Sequence, residues 1–111
     1  LAGRLERGEV RLVRFPKPDK QRPALVLTRG SALEFLNTVT IAPITSTIRN
    51  IPTEVVLGAE DGMKTACAVN LDHVQTIPTI ALGRRVTSLT SDRMSQVCIA
   101  LAFALGCGHS G

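Results

Sequence analysis

Aromatic side chains are nearly missing from this chain. There is no tyrosine or tryptophan, and Phe15, Phe35 and Phe103 are the whole complement among 111 residues. A core built from this composition is aliphatic, made of Val, Leu, Ile and Ala. The same shortage excludes the commonest way of holding single-stranded nucleic acid, the stacking of bases on aromatic platforms. A reader of nucleic acid with this composition relies on hydrogen bonds and charge. Cysteine is also scarce: Cys67, Cys98 and Cys107 form no CxxC pair and are odd in number. That speaks against a disulfide framework and for a reducing cytoplasm. Cys67 and Cys98 stand in apolar surroundings and read as core residues. His73 and His109 have no ligand spacing with any cysteine, so neither a metal site nor a cofactor is expected. No apolar run approaches a membrane span, and no signal-peptide pattern heads the chain. The first residue is Leu1 rather than Met, which reads as a processed or truncated end.

What remains is ordinary globular material with a basic balance. A chain of 111 residues with 44% hydrophobic content makes one domain, residues 1–111, with a single core. The formal charge of +4 favours an anionic partner. The cations are spread: Arg4, Arg7, Arg11 and Arg14 early, Lys17, Lys20 and Arg22 next, Arg84 and Arg85 late. A plain basic surface and a binding face both fit that distribution.

The patterning is mostly β. Gly8–Phe15 reads as a strand whose apolar phase slips between Leu12 and Val13, as at a bulge. Pro16 to Gln21 is a loop, because Pro16 and Pro18 cannot both pair in a central strand. Pro23–Thr28 is a continuous apolar strand buried on both faces, and Ser31–Leu36 allows a helical turn. Thr38–Thr47 is a third strand in which Pro43 predicts an edge or a bulge. Thr53–Leu57 and Cys67–Leu71 follow, then Gln75–Ile80 and Arg84–Leu89 around a turn containing Gly83. Short strands at this spacing predict a small closed antiparallel barrel, mainly β with one C-terminal helix. That helix runs from about Ser91 to Leu105, with Thr90 or Ser91 as N-cap and Gly106 just past its end. Met94, Val97, Cys98, Leu101 and Leu105 recur at helical spacing as its core stripe.

Chemistry concentrates at two strand ends. Arg22 precedes Pro23 at the head of the second strand, and Thr45-Ser46-Thr47 closes the third. If those strands are neighbours, a guanidinium fork and a cluster of hydroxyls converge, a pairing suited to a phosphodiester. A solvated arginine beside an ordinary strand threonine is the competing reading. The order of segments adds to this: Arg7-Gly8-Glu9-Val10, Arg22-Pro23 with its apolar run, Ile41-Ala42-Pro43-Ile44-Thr45-Ser46-Thr47, Pro52-Thr53-Glu54-Val55, and Ala68-Val69-Asn70-Leu71-Asp72-His73-Val74-Gln75-Thr76-Ile77. In this order the chain resembles the MazF/PemK (Kid-like) toxins, bacterial endoribonucleases of type II toxin–antitoxin modules, over residues 7 to 106.

The resemblance implies an SH3-like barrel of the CcdB/Kid-like type, a homodimer, and metal-independent cleavage of single-stranded RNA. It implies attack of the ribose 2′-OH on the adjacent phosphorus, leaving a 2′,3′-cyclic phosphate and a 5′-OH. By position, Arg22 and Thr45 match the catalytic arginine and threonine, and Asp72 matches an acidic residue used as acid or base. Ser46 and Thr47 fall where small polar residues touch RNA. The chain departs from the family at Asn70, where an arginine is usual, so a donor remains there but a charge does not. His73 reads either as a proton-transfer residue near the RNA or as a surface residue. The resemblance also implies a cognate antitoxin with an acidic segment competing for the basic groove. From other classes, a non-catalytic barrel that binds a protein such as gyrase stays open, as does a basic regulator that binds nucleic acid without cutting it. The regulator would need an exposed recognition helix.

Overall fold

The computed structural model describes residues 5–15 and 21–107. Most of the expected proline-rich loop, and His109, lie outside the described residues. Seven strands and two helices follow the chain: β1 Glu9–Arg14, β2 Gln21–Val26, α1 Gly30–Leu33, β3 Thr38–Thr45, β4 Glu54–Leu57, β5 Cys67–Asn70, β6 Gln75–Pro78, β7 Leu82–Ser88 and α2 Ser91–Leu105. Every strand pairing is antiparallel, in the order β4-β5-β3-β2-β1-β7, with β6 also on β3.

Alternation along the central strands creates two apolar layers, because successive side chains leave opposite faces of a sheet. Leu25, Ala42, Ile44, Val55, Leu57, Val69 and Leu71 pack with Met94, Val97 and Ala100 of α2. On the other face Ala24, Val26, Val39 and Ile41 pack with Val13. Burial of β2 on both faces, expected from its unbroken apolar run, is met: Ala24, Leu25 and Val26 are all 0% exposed. The phase slip in β1 also has its counterpart. Pairing with β2 is regular, but against β7 the register shifts between Val10 and Arg11 and again before Val13.

The expected closed barrel is corrected to a sheet that wraps one apolar cluster without closing. Its path ends at β4 and β7, which do not pair. The turn Ala59–Asp61 stands in the way, and a side-chain contact replaces a ladder: Thr87 Oγ1 donates to the Asp61 carbonyl at 3.0 Å. Gly62 permits that approach. Its φ is 89°, and a Cβ there would collide with the Thr87 hydroxyl.

Pro43 does not mark an edge. β3 is the most central strand, paired with β2 on one side and with β6 and β5 in succession on the other. Leu27 N–H donates to the Thr40 carbonyl at 2.9 Å. Hydrogen-bonded pairs therefore alternate through Leu25 and Ala42, and the missing N–H of Pro43 points away from β2. There β6 pairing stops at Ile41 and β5 pairing starts at Ile44, so no ladder bond is lost. Gly83 lies within β7 rather than in a turn, where a Cβ would stand 3.2 Å from the Leu12 carbonyl. The turn is instead Thr79–Ala81.

The last helix ends as its sequence requires. Thr90 caps it, its hydroxyl accepting from Arg93 N–H at 3.2 Å. Gly106, at φ 70°, closes it while Cys107 N–H reaches the Ala102 carbonyl and Gly106 N–H the Phe103 carbonyl, the paired bonds of a Schellman end. Its buried stripe is shifted from the expected one. Met94, Val97 and Ala100 are buried, whereas Cys98 and Leu105 are exposed. The periodicity marked an apolar helix, but only packing against β4 and the turn after β5 selects which face is covered. No described helix is long and apolar enough to cross a membrane.

Candidate active site

The register across β2 and β3 settles whether the two chemical strand ends meet. Ala24 pairs with Pro43 and Leu25 with Ala42. Continued outward, the same register sets Arg22 opposite Thr45. Both line one cleft of about 640 Å³, together with Ser46 and Thr47. The cleft has a floor of Leu12, Pro23, Ile44, Met63, Cys67 and Val86. Burial and the nearby Asp61 charge push the Cys67 thiol up, so it stays protonated and uncharged at neutral pH.

Thr45 is prepared as a donor. Its Oγ1 accepts the Thr47 N–H at 3.0 Å. With a lone pair held by the backbone, the hydroxyl proton is left to an acceptor in the cleft, such as a phosphate oxygen. Thr45 is half-buried, while Arg22, Ser46 and Thr47 are exposed.

Asp72, Asn70 and His73 do not line this cleft. They form their own cluster where β5 runs into a 3-10 turn, Leu71–His73. Asn70 Oδ1 accepts the Asp72 N–H at 2.9 Å, capping the turn and fixing the amide orientation. Its Nδ2 then faces His73 Nδ1 at 2.9 Å. An amide nitrogen only donates, so in this arrangement His73 accepts at Nδ1 and carries its proton on Nε2. Asp72 Oδ2 accepts from the buried Thr53 hydroxyl at 2.6 Å. The sequence thus names two groups, and the fold brings Arg22, Thr45, Ser46 and Thr47 together in the cleft while holding Asp72, Asn70 and His73 apart from it.

Sequence reasoning missed Lys64 and Thr65, which also line the cleft, and noted Arg84 only as part of the basic balance. Lys64 and Thr65 follow a glycine-rich turn that carries no motif, so only the fold reveals them. Their loop is anchored by Asp61. Its carboxylate receives Arg93 of α2 through two bonds, Nε to Oδ1 at 2.8 Å and Nη2 to Oδ2 at 3.0 Å, and the Gly58 N–H at 3.0 Å. The Arg93 hydrogen bonds hold the Asp61 carboxyl below its usual range. A lowered folded pKa stabilises the native state above the unfolded value of about 3.9 and loses that contribution as pH falls through the folded value. Asp61→Asn is therefore expected to lower stability by about 1–3 kcal/mol near neutrality. In urea melts from neutral pH to below pH ~3.9, its loss relative to wild type shrinks as the solution becomes more acid. A pH-independent difference would remove the ion pair as its cause. Among the described residues no group of three His, Cys, Asp or Glu is placed to hold a metal ion.

Comparison with known proteins agrees over nearly the whole chain. Residues 6–105 match the family described as PemK-like, MazF-like toxin of type II toxin–antitoxin system. Endoribonuclease MazF3 of Mycobacterium tuberculosis is 39% identical over 97 residues, covering 87% of this chain and 90% of the relative. The solved structure of Mycobacterium tuberculosis toxin MazF-mt6 superposes with a TM-score of 0.81 at 35% identity, covering 88% of this chain and 96% of that one. An endoribonuclease in complex with its cognate antitoxin, from Mycobacterial species, gives a TM-score of 0.83 at 28% identity, covering 94% and 97%. Sequence order, strand register and overall superposition therefore lead to one assignment: this chain belongs to the PemK-like, MazF-like toxin family of type II toxin–antitoxin systems.

Proposed function

We propose that the chain is a sequence-specific, metal-independent endoribonuclease toxin that cleaves single-stranded RNA and thereby inhibits translation and growth. The observation that carries this reading is the meeting of Arg22 and Thr45 at one cleft, with the Thr45 oxygen already held by the Thr47 N–H. The ribose 2′-OH attacks the adjacent phosphorus, the bond to the 5′ oxygen breaks, and a 2′,3′-cyclic phosphate and a 5′-OH remain. Arg22 neutralises charge as the phosphorane forms, and the Thr45 hydroxyl donates to a non-bridging oxygen. Ser46 and Thr47 contact the RNA in the cleft, while Asn70, Asp72 and His73 contact RNA that runs on to the separate turn after β5. The non-catalytic gyrase-type alternative would have no use for a phosphate-directed pair in the cleft.

The protein works in the cytoplasm as a homodimer with a cognate antitoxin, whose acidic segment competes with RNA for the basic cleft. An unpartnered apolar crest on α2 supports the dimer, with Ile99 72%, Phe103 59% and Leu105 66% exposed in the single chain. Purified protein should have twice the chain's mass by light scattering and cut RNA in EDTA. Sequencing the 5′ ends of the fragments should return one short recognition motif. A substrate with 2′-deoxyribose at the cleavage position should resist cutting. Cleavage of that substrate would exclude 2′-OH attack, and loss of activity in EDTA would exclude metal independence.

A further inference from the structure

The cleft lies along a seam between β7 and the loop leading into β5, and its two sides carry cations that nothing in the fold uses. Arg84 stands on β7, and Lys64 on the loop leading into β5. Both are exposed, and among the described residues neither side chain has a hydrogen bond or an ion pair. Other arginines are engaged: Arg11 with Glu9 and the Gly83 carbonyl, Arg93 with Asp61, Arg85 with Ser88. Like charges gathered around one cleft favour an anion between them. Below them lies the neutral floor of Ile44, Met63 and Cys67, all at most 9% exposed. That surface suits the flat face of a base in a chain with no aromatic residue to stack on it, since a methionine thioether packs well against an aromatic ring.

We propose that this seam is a nucleotide subsite, in which one base beside the scissile phosphate lies on the Met63 floor and Lys64 and Arg84 grip its outer phosphate. The inference rests on the ribonuclease reading of Arg22 and Thr45 and extends it to residues that hold substrate rather than transform it. Asp61 serves as a positioning residue. Fastened to Arg93 of α2 and through its carbonyl to Thr87 of β7, it sets the spacing between the two sides of the seam.

Lys64→Gln and Arg84→Gln, each chosen to remove the charge and keep a polar side chain, should raise KM about tenfold at moderate salt while kcat stays within about twofold. Each should also flatten the dependence of log binding on log salt by about 0.7, the slope for one phosphate of a single strand. An abasic site on one side of the cleavage point should raise KM in the wild type by a similar factor, and an abasic site farther out should not. Circular dichroism melts of both variants check that they fold, and Arg22→Ala serves as the catalytic control. If Arg22→Ala loses cleavage while both glutamine variants keep wild-type KM and salt slope, the subsite is wrong and the active site stands. If Arg22→Ala cuts as wild type does, the active-site reading fails. Insensitivity to abasic sites on both sides would overturn base docking on Met63.

Discussion

Arg22→Ala is expected to slow single-turnover cleavage about 10²–10³-fold in protein that remains folded. The effect is electrostatic. Charge grows on the phosphorane oxygens only as the 2′ oxygen attacks, so a guanidinium fixed at that point stabilises the transition state more than the bound substrate. The fold supplies the fixing: Arg22 sits at the head of β2, whose residues Ala24 and Leu25 are paired on both sides and fully buried. Arg22 itself is exposed, so its removal leaves the core intact. Arg22→Lys should recover only part of the rate, because an ammonium lacks the planar fork that meets two phosphate oxygens. Thr45→Val keeps the shape and removes the hydroxyl held by Thr47 N–H, and should slow the same step. The measurement is rate at saturating enzyme with the RNA in trace. Wild-type rates from folded Arg22→Ala and Thr45→Val proteins would mean that these are the wrong residues.

Leu25→Ala is expected to cost about 2–5 kcal/mol of folding stability. Leu25 is 0% exposed on β2, between β1 and β3, and packs into the layer that α2 covers. Strands paired on both sides cannot move in to fill the space, so most of the void should persist. Leu105→Ala is the contrast, since Leu105 is 66% exposed in the single chain. In dilute monomer it should change stability by no more than about 0.5 kcal/mol. Urea titrations of both variants test the pair. A loss for Leu25→Ala no larger than that for Leu105→Ala would contradict the packing described here.

Much of this was legible in the sequence because it is written in local rules. The C-terminal helix follows from Thr90, Gly106 and an apolar repeat, each acting within a turn or two. The strand run at Pro23–Thr28 needed only its unbroken apolar character to announce burial on both faces. The failures have one cause. Closure of the sheet, the place of Pro43, and the exposure of Cys98 and Leu105 all depend on what lies beside a residue, and local pattern does not carry that. Pro43 is the clearest case: a proline reads as the sign of an edge or a bulge, yet here its lost donor falls in the gap between two partner strands of a central strand.

The active site divides the same way. By itself the sequence determined the kinds of group available, a guanidinium before Pro23 and hydroxyls after Ile44, because side-chain chemistry needs no neighbours to be named. It also determined the segment order that marks the family. Only the tertiary structure decided which groups share a space. Antiparallel pairing of β2 with β3 brings Arg22 and Thr45 to one cleft, and the cap formed by Asn70 keeps Asp72 and His73 at a separate turn. The seam between β7 and the loop before β5 brings Lys64 and Arg84 to the same cleft from segments well apart in the chain. The physical reason is that pairing register and burial are set jointly by all the strands, so proximity across the sheet belongs to the fold as a whole.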